Sequence, residues 1–104
     1  MIDIKLMSSA EISAELGNRL KSRRLALRMT QKELAERTGL NVGTVKNIEA
    51  KTAGCTLDTL LRIASVLGLA DQFETLFVAR PRSIAQMEEV ATAPRLRARR
   101  RLHQ

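Results

Sequence analysis

Aromatic rings are nearly missing from this chain of 104 residues, which holds two phenylalanines and neither tryptophan nor tyrosine. Clefts that grip a sugar face, cages for quaternary ammonium groups and platforms that stack unpaired bases all need several rings, so those binding modes are disfavoured. Cysteine and histidine occur once each, as Cys55 and His103. That inventory supplies neither a metal tetrad nor a Cys/His or Ser/His nucleophile pair, so no metal, no cofactor and no catalytic residue is expected. The chain does not read as an enzyme. Cys55 has no second thiol to pair with and no basic cluster beside it, and it reads as a small apolar filler rather than a redox switch. No apolar run approaches the ~20 residues of a bilayer span. The stretch from Met1 to Leu16 also lacks the basic leader and apolar segment of a secretory signal. These absences predict a cytoplasmic protein without a membrane partner.

What is present is aliphatic and basic. Apolar residues make up 44% of the chain, enough for one core at a length that suits one domain. The formal net charge is +7, which favours a polyanionic partner, nucleic acid before an anionic surface or an acidic protein. The charge is uneven: Arg95, Arg97, Arg99, Arg100 and Arg101 lie in a tail, Thr92 to Gln104, that contains no acid.

The periodicity is helical throughout. Ser8 and Ser9 mark a first helix start, and Ile12, Leu16, Leu20 and Leu27 recur at helical spacing until about Arg28. Thr30 with Glu33 forms a capping box that starts a second helix at Gln31, and Gly39 ends it. Asn41 can cap a third helix carrying Val45 and Ile48, and Thr56 a fourth whose Leu57, Leu60, Leu61, Ile63, Ala64 and Leu67 form a broad stripe ending at Gly68. Asp71 with Glu74 suggests a fifth helix from Gln72 to about Phe77. No segment alternates as a strand does, and no repeat of 20 to 50 residues is visible. The expected architecture is all-α, a compact five-helix domain over 11–79, preceded by a lead-in over 1–10 and followed by a basic extension over 80–104. Within that extension a sixth helix from Ser83, with Ile84, Met87 and Val90 as its seam, is an open alternative, and the arginine run after Pro94 is expected to be disordered.

Helices two and three, joined by a tight turn, make a helix-turn-helix over 31–50. The crossing requires a small residue where the helices meet, a glycine in the turn and branched apolar residues on the inner face. Ala35, Gly39, Val45 and Ile48 meet those needs, with Leu34 and Leu40 completing the plug. The outer face of helix three then carries Asn41, Val42, Gly43, Thr44, Lys46 and Asn47. Asn47 suits an adenine edge, Lys46 a guanine or a phosphate, Thr44 a base or a phosphate, and Val42 a thymine methyl. For Lys46 and Asn47 taken singly, a solvated helix face is the alternative. Lys51 and Thr52, in the following loop, are candidates for backbone contact or for ordinary solvated loop.

Gln31 to Ala50, with Leu16 to Met29 before it and Thr56 to Gly68 after, resembles the lambda-repressor-like, XRE-type helix-turn-helix domain, over roughly Ile12 to Phe77. The resemblance implies that helix three enters the major groove of double-stranded DNA. It also implies that the start of helix two aims its amides and Gln31 at a phosphate, where Thr30 and Lys32 add contacts. Arg24 and Glu49 match a pair that forms a buried structural ion pair in that family, the alternative being two solvated charges. Gly43 departs from the long polar side chains often found there, which shifts weight from base contacts to DNA shape.

Members of this family gain affinity as two-fold homodimers, and Phe73, Leu76 and Phe77 are candidates for that dimer or partner surface, with core burial the equal alternative. The domain, a proline break and a short basic extension together look like the DNA-binding antitoxins of HipB type. That likeness implies a HipA-like kinase toxin as partner, repression of the chain's own operon, and association with the nucleoid when DNA is bound. A protein-bridging, coactivator-like module with little DNA selectivity is the alternative function.

Overall fold

In the computed structural model, which describes residues 3–79, each of the four α-helices begins on a side-chain oxygen that accepts a bond from its own first turn. Helix α1 (Ser9–Ala26) follows Ser8, α2 (Gln31–Thr38) follows Thr30, α3 (Val42–Ala50) follows Asn41, and α4 (Leu57–Val66) follows Thr56. Each such cap is worth about 1 kcal/mol. At Ser8 and Thr30 the box is reciprocal, with Glu11 and Glu33 reaching back to the cap amide. The Ser8 amide, and then its hydroxyl, hold the Glu11 carboxyl below its usual pKa. Short 3-10 helices flank the four, at Ile4–Leu6 and Ala70–Thr75. Among the described residues there is no strand, and the fold is all-α. No helix there is long and apolar enough to cross a membrane.

The described residues divide between a first compact unit, up to Glu74, and the few that follow it from Thr75. The first holds the four α-helices around a core of Leu20, Met29, Leu34, Ala35, Val45, Ile48, Ile63, Ala64 and Leu67. Helix α3 packs against α1 and α2, and α2 packs against α4. Leu40, in the turn, leans on that core, and so does the half-buried Cys55.

Several expectations need correction. Helix α1 stops at Ala26 rather than near Arg28, because the chain reverses there. Arg28 adopts a left-handed φ of +57°, and Met29 N–H donates back to the Arg24 carbonyl at 3.1 Å. Met29 is consequently buried, whereas Leu27, expected on the inner face, is 43% exposed. The buried face of α1 is instead Ser13, Gly17, Leu20 and Arg24. On α4 the stripe is narrower than expected: Ile63 and Ala64 are buried, with Leu67 just beyond, while Leu57 and Leu61 are exposed. The fifth helix is a 3-10 helix that starts at Ala70, ahead of the expected cap Asp71, and its Gln72 N–H donates to Leu69 three residues back. Phe73 is half-buried, and Leu76 and Phe77 lie past the end of that helix, both exposed. The sixth helix from Ser83 and the arginine tail lie outside the described residues.

Candidate nucleic-acid interface

The turn between α2 and α3 depends on one backbone conformation. Gly39 takes φ +74°, a left-handed geometry that costs glycine little, and sends the chain directly into the Asn41 cap. Thr38 sits under the turn, its hydroxyl donating to the Leu34 carbonyl at 2.7 Å. Two turns of α3 then separate cleanly into faces. Val45, Ile48 and Glu49 are buried, and Gly43, Lys46, Asn47 and Ala50 form an exposed row on the opposite side. The side chains of Lys46 and Asn47 make no hydrogen bond among the described residues, so their donors and acceptors face solvent unengaged.

The other candidates are partly engaged inside the protein. Asn41 Oδ1 accepts from the Thr44 amide at 2.7 Å and from the Thr44 hydroxyl at 2.9 Å, which leaves the Asn41 NH2 and the Thr44 oxygen lone pairs available. Val42 is half-buried and packs against the core, so part of its side chain is withdrawn from the outer row. Thr52 is half-buried and turned to α1, where its hydroxyl donates to the Ser13 carbonyl and hydroxyl, both at 3.3 Å. Lys51, one residue earlier, is exposed.

At the start of α2 the Thr30 amide and hydroxyl both donate to Glu33 Oε1, at 3.3 and 3.2 Å. The amides of Gln31 and Lys32 belong to the first turn and have no carbonyl partner within the helix, so they are the donors left for an anion. Lys32 is exposed beside them. Gln31 faces the other way in part, since its Nε2 donates to Glu49 Oε1 at 3.0 Å and keeps one N–H free.

That bond joins Gln31 to the buried pair. Arg24 Nε donates to Glu49 Oε2 at 2.7 Å and Arg24 Nη2 to Glu49 Oε1 at 3.0 Å, with both side chains less than a tenth exposed. Arg24 Nη1 also donates to the Met29 carbonyl at 2.7 Å. One guanidinium thus fastens the end of α3 to α1 and to the loop that enters α2, in the bidentate geometry that makes arginine pairs directional. Above it, a Cβ at Gly17 would sit 2.6 Å from the Ile48 carbonyl oxygen and 2.8 Å from that of Glu49. Only a glycine lets α1 lie this close to α3. Ser13 and Gly17 carried no signal in the apolar pattern, although a glycine inside a helical run is itself a hint of close approach.

The arrangement is a rigid helix presented with a polar, cation-bearing outer row, flanked by the exposed Lys32 and Lys51 and by unpaired amides. Such a surface suits the edge and backbone of a duplex. A helix-turn-helix family model matches residues 20–72, from within α1 to within the 3-10 helix that follows α4. No curated protein matches the chain.

Proposed function

The chain belongs to the XRE-type helix-turn-helix family of DNA-binding transcription regulators, and from that premise we propose that it is a sequence-specific repressor that binds double-stranded DNA as a homodimer and controls its own operon. The observation that carries this reading is the exposed row on α3, Lys46 and Asn47 above all, on a helix whose other sides are fastened to α1 and α2. Asn47 is assigned to a base edge and Lys46 to a guanine or a phosphate. Thr30, Gln31, Lys32, Asn41, Thr44 and Lys51 are assigned to the sugar-phosphate backbone, with Val42 and Gly43 lining the approach to the bases.

A single module of this size makes few contacts, and a two-fold dimer on half-sites one helical turn apart supplies the rest. Leu76 and Phe77, 46% and 95% exposed, support an apolar contact surface beyond the 3-10 helix, with Phe73 beside it in sequence. On this reading repression is steric, the dimer excluding polymerase from the promoter. A HipA-like kinase toxin is the proposed partner of the basic extension, which makes the chain an antitoxin.

Selection from random duplex DNA with the full chain tests the central claim. Enrichment of an inverted repeat supports a dimeric operator-binding regulator. Failure to enrich any sequence overturns the repressor reading and leaves a protein-bridging module in its place. Asn47→Ala is expected to reduce discrimination by about 1–3 kcal/mol at one base position per half-site. Equal losses on selected and random duplex contradict the base-reading role.

A further inference from the structure

Ser13 lies in the second turn of α1, 8% exposed, where a serine contributes neither helix propensity nor apolar packing. Beyond the hydrogen bonds of its own helix, its carbonyl and hydroxyl both engage the loop that leaves α3. The Thr52 amide donates to the Ser13 carbonyl at 3.1 Å, the Thr52 hydroxyl to the Ser13 carbonyl and hydroxyl at 3.3 Å, and the Ala53 amide to the Ser13 hydroxyl. Two consecutive backbone donors and one side chain therefore converge on one residue of another helix. Ser13 stands outside the stretch matched by the helix-turn-helix family, residues 20–72.

The residue before this knot is Lys51, whose backbone is extended, with φ −165° and ψ 142°, and whose amide is still tied to the Asn47 carbonyl at 3.0 Å. In extended backbone, successive side chains point to opposite sides. Pinning Thr52 inward to α1 thus aims Lys51 outward, which agrees with Thr52 being half-buried and Lys51 exposed. We propose that Ser13 is a positioning residue for DNA binding: its hydroxyl and carbonyl hold Thr52 and Ala53 so that the Lys51 ammonium stands at the phosphate backbone beside the recognition helix. The inference rests on the DNA-binding reading above and adds to it a residue that touches no nucleic acid.

A lysine held at a phosphate releases counterion when it binds, and its loss lowers the slope of log affinity against log salt by about one. The test is that slope, measured on duplex DNA for the full chain, Lys51→Ala, Ser13→Ala, Thr52→Val, Thr52→Ser and the double variant Ser13→Ala/Lys51→Ala, at a temperature where circular dichroism shows each to be helical. Ser13→Ala and Thr52→Val are expected to lose most of the increment that Lys51→Ala loses. Thr52→Ser, which keeps the hydroxyl, retains the parent slope, and the double variant falls no further than Lys51→Ala alone. If Ser13→Ala does not fold, Thr52→Val decides, because it removes a hydroxyl while keeping the backbone bond and the side-chain shape. Parent slopes in folded Ser13→Ala and Thr52→Val, or an additive double variant, overturn the proposal while DNA binding stands. A parent chain that binds no duplex overturns this proposal together with the DNA-binding reading.

Discussion

Helices α1 and α4 brace the helix-turn-helix pair from α3 and α2 respectively, and they do so with different chemistry. Helix α4 presents Ile63 and Ala64, with Leu67 at its end, a contact made of aliphatic surface. Helix α1 presents Ser13, Gly17, Leu20 and Arg24, a contact made of hydrogen bonds, a close backbone approach and an ion pair around a single leucine. Apolar burial is non-directional and tolerates small rotations of one helix on another. Bonds from Arg24 to Glu49 and from Thr52 to Ser13 do not, because they weaken steeply when their angles change. The helix that carries the exposed row of Lys46 and Asn47 is thus the one held by the directional contact.

The comparison can be broken most severely at Glu49. Glu49→Ala leaves the Arg24 guanidinium buried without its carboxylate, and a loss of about 3–5 kcal/mol is expected in urea unfolding. A Glu49→Ala protein that unfolds at the parent midpoint would mean that α1 is not fastened to α3 through this pair. On the α4 side, Leu67→Ala removes a fully buried side chain and should cost about 2–5 kcal/mol, yet leave the preference among duplex sequences unchanged wherever the protein is folded. Gly17→Ala sharpens the contrast. Its methyl meets backbone oxygens that cannot swing aside, so a loss of about 1–3 kcal/mol is expected, accompanied, unlike Leu67→Ala, by altered sequence selectivity.

Smaller effects are expected where the two helices end. Both close with the same reversal: Met29 N–H returns to the Arg24 carbonyl at 3.1 Å, and Leu69 N–H to that of Ala64 at 2.8 Å. At α4 the left-handed residue is Gly68, and at α1 it is Arg28. Arg28→Gly should therefore stabilise the fold by roughly 0.5–1 kcal/mol, read as a raised Tm, since a non-glycine residue is disfavoured in that conformation. The slightest change belongs to the exposed Glu11. Its folded pKa is lowered by Ser8, so the stabilisation of the first turn of α1 is complete above the unfolded pKa and is lost as pH falls through the folded one. Ser8→Ala should flatten that acid limb in a titration followed by helical circular dichroism.

The two braces also differ in how far the sequence discloses them. The starts of α2, α3 and α4 are legible because caps and glycines act within a few residues: Thr30 on Glu33, Asn41 on Thr44, Thr56 on Thr59, and Gly39 at the turn. The inward side of α4 follows from aliphatic spacing, apart from the exposed Leu57 and Leu61. The inward side of α1 does not, because a serine, a glycine and an arginine carry no apolar period, and what buries them lies far along the chain. Thr52 is 39 residues from Ser13, and Glu49 is 25 from Arg24. The same holds for the interface. Helical period alone separates Lys46 and Asn47 from Val45 and Ile48, but the inward bonds of Gln31 and Thr52 depend on partners that no local pattern encodes.

Lys46 and Asn47 hold nothing in place by their side chains among the described residues. Substitution there is therefore cheap for folding, of the size usual for surface positions, about half a kcal/mol either way. On the base-reading role proposed for them, a gene copy changes which duplex its product recognises in one or two steps without passing through an unstable intermediate. Gly17, Arg24 and Glu49 allow no such drift, so divergence in target is expected to accumulate on the outer row of α3 while the brace beneath it stays fixed.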